Sequence, residues 1–82
     1  MDFQLHAKDS GKHVRVVDRI AGAEAFNDFI DRDDTVTVSV NSNNDENGEV
    51  DVYAQMRNDS PEFMVYTDYE IRKNETLEIE DV

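Results

Sequence analysis

The 82-residue sequence has no cysteine, no tryptophan, one proline and three glycines, and only 8 lysines and arginines stand against 20 aspartates and glutamates. Without cysteine there is neither a disulfide framework nor a thiolate metal centre, so stability has to come from packing and hydrogen bonds, and the fold is expected to form in a reducing cell. Nothing resembles the run of ~18 apolar residues that a membrane span needs. The N-terminus also lacks the basic-then-apolar pattern of a signal peptide, so a cytoplasmic protein is expected. The shortage of basic residues leaves a formal net charge of −12 and a pI near 4.2. Nucleic acid and anionic membrane would each meet a surface of their own sign, which disfavours both as direct partners and favours a basic protein. The plain alternative is that acidity only keeps a small domain soluble, or marks a halophilic one.

A chain of this length without internal repeats reads as a single domain over residues 1–82, able to bury about 60% of its unfolded surface. Its organising stretch is Val14 to Ile20, followed at once by Ala23 to Asp31. The first is β-branched and interrupted by Arg15, Asp18 and Arg19, as befits an exposed edge strand whose charges blunt accidental pairing. The second places Phe26, Phe29 and Ile30 at i, i+3, i+4, which predicts an amphipathic helix with Glu24 in its first turn. A short helix is also expected over 2–8, with Asp2 as cap, ended by turn chemistry at Asp9 to Lys12.

Thr35 to Val40 alternates strictly and predicts a strand with Val36, Val38 and Val40 inward. Asn41 to Gly48 is polar, with Asn47-Gly48 placed to close a hairpin, and Glu49 to Met56 alternates again, predicting a strand that pairs back on the first. Residues 57–62 form a loop, since Pro61 lacks a ladder amide. Residues 63–71 and 76–80 are the last two strands, with Val65, Tyr69, Ile71, Leu77 and Ile79 inward. The expected class is α+β, a five-stranded antiparallel sheet with one or two helices packed on it.

Catalytic and metal chemistry find little support. Asn43, Asp45, Asn47 and Gly48 imitate the opening of a calcium loop, but the bidentate acid that should close it falls on Ala54. His6 and His13 have no cysteine to support a zinc site. Carboxylates are so numerous that some pair must lie at a glycosidase-like separation by chance, so acidic pairs carry no catalytic information. The expectation is therefore no enzyme, no cofactor and no metal. The sequons at Asn58 and Asn74 have no meaning in a cytoplasmic chain.

The order of features resembles the small phage inhibitors of uracil-DNA glycosylase over nearly the whole length. The likeness rests on Gly11-Lys12 before the strand to Ile20, the acidic segment ending in Phe29-Ile30, Asp59-x-Pro61-Glu62-Phe63, and the last strand through Ile79 to the apolar Val82. Val17 and Arg19 replace the polar pair beside the family's strand acid, Ala21 and Gly22 its following apolar residues, and Tyr66 its tryptophan. The resemblance implies a DNA mimic that forms a one-to-one complex with uracil-DNA glycosylase, in a host bacterial cytoplasm if the chain is phage-encoded. Such a glycosylase holds DNA in a basic groove and drives an apolar wedge into the minor groove as uracil flips out. Asp18, Glu24 and Asp28 would stand in for phosphates. The strand at Val17, Asp18, Arg19 and Ile20 would lie along the groove. Phe26, Phe29, Ile30, Val38, Ala54, Met56 and Tyr69 would line a slot for the wedge. Alternatives are an acidic mimic aimed at another basic protein, of anti-restriction or anti-CRISPR type, and a halophilic domain whose charge serves no partner.

Overall fold

The computed structural model describes residues 1–57 and 59–81, and among these every regular element is a strand. The strands are β1 (Asp2–Ala7), β2 (Lys12–Asp18), β3 (Ala23–Ile30), β4 (Thr35–Ser39), β5 (Gly48–Gln55), β6 (Phe63–Ile71) and β7 (Thr76–Ile79). The α+β expectation is thereby corrected to an all-β class: the segments predicted as helices are β1 and β3. Asn58 and Val82 lie outside the described residues, so the sequon at the one and the apolar terminus at the other are not placed.

β1 is a strand because its apolar residues recur every second position. Phe3, Leu5 and Ala7 are fully buried while Asp2, Gln4 and His6 face outward. It pairs antiparallel with β4, setting Phe3 opposite Val38, and parallel with β7, setting Leu5 opposite Leu77. At β3 the turn decides the outcome. Gly22 takes φ +66 and its amide donates to the Asp18 carbonyl at 2.8 Å, a tight reversal that sends the chain back along β2. Phe26 then sits opposite Val16 and Phe29 opposite His13. Positions three apart on a strand point to opposite faces, so the expected helical stripe does not exist.

The seven strands form two sheets, ordered β4-β1-β7 and β3-β2-β5-β6. Their inner faces meet in one core whose largest fully buried members include Phe3, Leu5, Ile30, Ile71 and Ile79. Each such side chain contributes roughly 1.5–3 kcal/mol by leaving water. The strands expected at 35–40 and 49–56 are present, but they belong to different sheets, which corrects the predicted hairpin. The connection between them crosses from one sheet to the other and is organised by Asn43. Its Oδ1 accepts from the amides of Asp45 and Asn47 at 2.8 and 3.1 Å, and its Nδ2 donates to Glu49 and Glu70 at 3.2 and 3.3 Å. Gly48 serves close approach rather than the turn. A Cβ there would come within 2.8 Å of Ile71 Cγ2 and 2.9 Å of Val40 Cγ2.

Lys12, at the start of β2, is completely buried. Its ammonium donates to the carbonyls of Lys8 and Ile79, each at 2.6 Å, and lies 2.9 Å from Asp81 Oδ1, so it ties the β1–β2 turn to the end of β7. Lys12→Met would keep the bulk but remove the two ammonium bonds, leaving the Lys8 and Ile79 carbonyls only the amides of Ser10 and Lys8, and is expected to lower stability by about 1–3 kcal/mol. Asp81→Asn, at an exposed position, is expected to cost under about 1 kcal/mol. Denaturant midpoints of both variants check the ranking; an Asp81 variant as damaging as the Lys12 variant would show that the ion pair, and not the carbonyl bonds, does the holding.

Candidate partner-binding edge

β2 is not an edge strand. It runs between β3 and β5, and its three charges have separate local roles. Arg15 lies 4.2 Å above the Tyr53 ring and grips Glu62 with two bonds, Nε at 3.0 and Nη2 at 2.8 Å. This pairing raises the guanidinium's pKa and holds the Glu62 carboxyl below its ordinary range. Asp18, expected as an exposed phosphate mimic, is buried. Oδ1 accepts from the amides of Ile20 and Ala21 at 3.0 and 3.2 Å, and Oδ2 from the amide and side chain of Asn41 at 2.8 and 3.1 Å. Arg19 bridges Asp51 at 2.9 Å and Asp68 at 3.1 Å. Val17 is half-buried on the outer face of the sheet, and Ile20 is exposed in the β2–β3 turn.

The free edge is β3. Its register with β2 shifts between Val16 and Val17, leaving Ala25 as an extra residue. The shift separates the two remaining phosphate-mimic candidates: Glu24 pairs with outward-facing Val17, whereas Asp28 pairs with inward-facing Val14. Both carboxylates are exposed, and the helical side on which they were expected together is replaced by the two faces of an edge. Alongside Glu24, between β3 and β4, runs a groove of about 350 Å³ lined by Ala21, Ala23, Ala25, Val40, Ser39 and Asn41, with Asp18 beneath.

The seven-residue apolar slot is not assembled. Ile30, Val38 and Ala54 are core residues with almost no exposed surface. Phe26 packs half-buried against that core from the inner side. Phe29, 53% exposed, shares a shallow outer depression with Met56, His13, Gln55 and Arg57. Tyr69 stands on β6, edge-on to Tyr66 with ring centroids 5.1 Å apart and its hydroxyl donating to Glu75. The residues that do line a groove beside an acid are the small ones at 21, 23 and 25, whose only signal was their smallness beside Gly22. Buried Lys12 and Asp51 were also missed, because alternation alone cannot tell a core position from one where a charge is satisfied inside.

Among the described residues no group of His, Asp and Glu is arranged to hold a metal ion, and no helix is long and apolar enough to cross a membrane. Comparison with protein-family models, with curated proteins and with solved structures found no match to the chain.

Asp18→Asn turns an acceptor into a donor facing the amide and side chain of Asn41, so destabilisation of about 1–3 kcal/mol is expected, measurable by thermal or denaturant melting. Asp51 gives a pH signature. The Asp68 amide, 2.7 Å from its Oδ1, is the main cause of a pKa below the ordinary 3.8, with Arg19 adding to it. A depressed carboxyl contributes stability that is present above its unfolded pKa and lost as pH falls through the folded one. The parent should therefore lose stability below about pH 4 more steeply than Asp51→Asn. Relief of repulsion among the exposed acids acts oppositely but equally in both proteins, so the difference between their melting curves isolates Asp51.

Proposed function

We propose that the chain is a non-enzymatic acidic inhibitor that presents carboxylates to the DNA-binding groove of a basic protein, with uracil-DNA glycosylase, bound one to one, as the partner. The observation that carries this reading is the open edge at β3. Glu24 and Asp28 on the strand, and Asp31 and Asp34 in the turn after it, form no ion pair with Lys, Arg or His among the described residues, in a chain of net charge −12. Carboxylates left without cations are available to a basic surface and draw it in at long range. The alanine-floored groove beside Glu24 offers an apolar wedge side chain a place that the core residues of the expected slot do not. Support comes from charge and from the open edge; the helix that the resemblance implied is absent. The same features serve an inhibitor of another basic DNA-handling protein, such as a restriction or CRISPR enzyme.

One observation favours a halophilic domain instead. All the acids except Asp18, Asp51, Glu49 and Glu75 are exposed, and they occur on both sheets and at most of the connections, as general solvation would have them.

Titration of purified protein into a uracil-excision assay is expected to abolish activity sharply near one equivalent, with association slowing as salt rises. Full uracil release in excess protein would overturn the glycosylase reading and leave other basic partners to be tried. A chain that melts cooperatively only in molar salt would instead establish the halophilic reading.

A further inference from the structure

Four strands lie at sheet edges, and three of them are closed to a further strand. β6 is interrupted at Asp68, which takes φ +46 and turns its amide onto Asp51, and the pairing of β6 with β5 shifts register twice. The Tyr66 hydroxyl donates to the Glu78 carbonyl at 3.0 Å, stapling β6 to β7 across the gap between the sheets. β7 has four residues, and β4, five residues long, meets the 23–25 end of β3 across the groove beside Glu24. Past the bulge at Ala25, β3 pairs without irregularity from Phe26 to Ile30, and among the described residues no strand is hydrogen-bonded to its other side, where the Phe29 amide donates to the neighbouring Asp28 carboxylate at 2.7 Å, a bond an added strand would replace.

We infer that β3 is a strand-addition site: an extended, basic segment of a partner protein pairs its backbone along Phe26–Ile30 and enlarges the four-stranded sheet to five. Charge selects the occupant. A second copy of this chain would bring Glu24, Asp28 and the acids of the 31–34 turn against their own kind, which destabilises cross-strand neighbours and is how natural edges are guarded. A segment alternating Lys or Arg with β-branched residues sets its cations on the face of the edge that carries Asp28 and its apolar side chains on the face that carries Phe29, while Glu24, beyond the bulge, adds to the attraction at longer range. Its apolar side chains find Phe29, more than half exposed, on one face of the edge. Main-chain hydrogen bonds would supply affinity and the carboxylates would supply the choice of partner. The inference rests on the reading of the chain as an acidic binding module, but requires the partner to offer an extended segment rather than a rigid groove.

The test uses a fluorescein-labelled ten-residue peptide alternating Lys or Arg with Val, Ile or Thr, and two N-methylated versions, one methylated at the odd and one at the even backbone amides. Each methylated version blocks one edge of the peptide and leaves its charge and side chains intact. Strand addition predicts that one version binds at least tenfold more weakly than the parent peptide while the other retains its affinity. It also predicts that amide NMR shifts concentrate at residues 26–30, and that Glu24→Gln with Asp28→Asn weakens binding about tenfold. Equal binding by all three peptides, or shifts concentrated on another face, would overturn strand addition while leaving an acidic module that binds by charge. Absence of binding by any peptide, with glycosylase still inhibited by the protein, would overturn strand addition alone; absence of both would overturn the two proposals together.

Discussion

The four hydrogen bonds accepted by Asp18 hold together the part of the molecule on which the rest depends. Two come from amides in the turn after β2 and two from Asn41 at the start of the crossing between the sheets, so one buried carboxylate fixes both a hairpin and an inter-sheet connection. Residues 23–30 lack a strong preference of their own. The reversal at Gly22 delivers them antiparallel to β2, and once there their backbone is satisfied by β2 on one side, while on the other the Phe29 amide donates to Asp28. Tertiary placement overrides the weak local signal, as expected for a short segment whose apolar residues fit two periods.

Along the inner side of β2 the residues run Lys12, Val14, Val16, Asp18, with a positive charge at one end, a negative charge at the other and apolar residues between. Neither charge is paired with the other. Lys12 is satisfied by carbonyls and Asp81, Asp18 by amides, and among the described residues no buried side-chain polar atom lacks a partner. Buried charges are a poor source of net stability, since desolvation offsets most of what their contacts return. Their effect here is on register. A slip of one residue would carry both charges to the outer face, away from their partners, and bring His13, Arg15 and Val17 into the core.

Five of the seven strands were legible in the sequence: β4 and β5 from regular alternation, β2 from its β-branched residues, and β6 and β7 as apolar stretches set off by the loop at Pro61 and the turn at Lys73 to Glu75. β1 was legible in principle: Phe3, Leu5 and Ala7 alternate, but over six residues a helical spacing from Phe3 to His6 and Ala7 competed with it. β3 was not legible, because the extra residue at Ala25 breaks its alternation and Phe26, Phe29 and Ile30 imitate a helix face. The error propagated to the site. With β3 taken as a helix, β2 becomes an edge, Asp18 becomes a surface acid, and the residues on either side of the core are gathered into one slot. Sheet membership was equally hidden, since nothing in two well-formed strands such as β4 and β5 says whether the chain between them turns back or crosses over. What survived is the acidity of the 24–34 stretch and its exposure, which depend on composition and not on the type of element.

The charge on β3 is consistent with two opposite uses, and physics connects them. An edge strand flanked by exposed carboxylates repels other copies of itself, which protects a domain with a small core from edge-to-edge aggregation. The same carboxylates attract any basic segment, with a strength that depends on how many cations the protein already supplies nearby. Glu62 and Glu80 have theirs in Arg15 and Lys8. Around β3, Glu24 feels the longer-range field of Arg15, which is itself committed to Glu62, and Arg32 in the following turn pairs with Asp33. The protein thus neutralises acids beside β2 and β7, and Asp33 through Arg32 and His6, and leaves Glu24, Asp28, Asp31 and Asp34 without an ion pair among the described residues. Where the other edges among the described residues are kinked, stapled, short or flanked, the stretch of β3 from Phe26 to Ile30 pairs regularly and stays open, and Glu24 and Asp28 beside it are left for another molecule to meet.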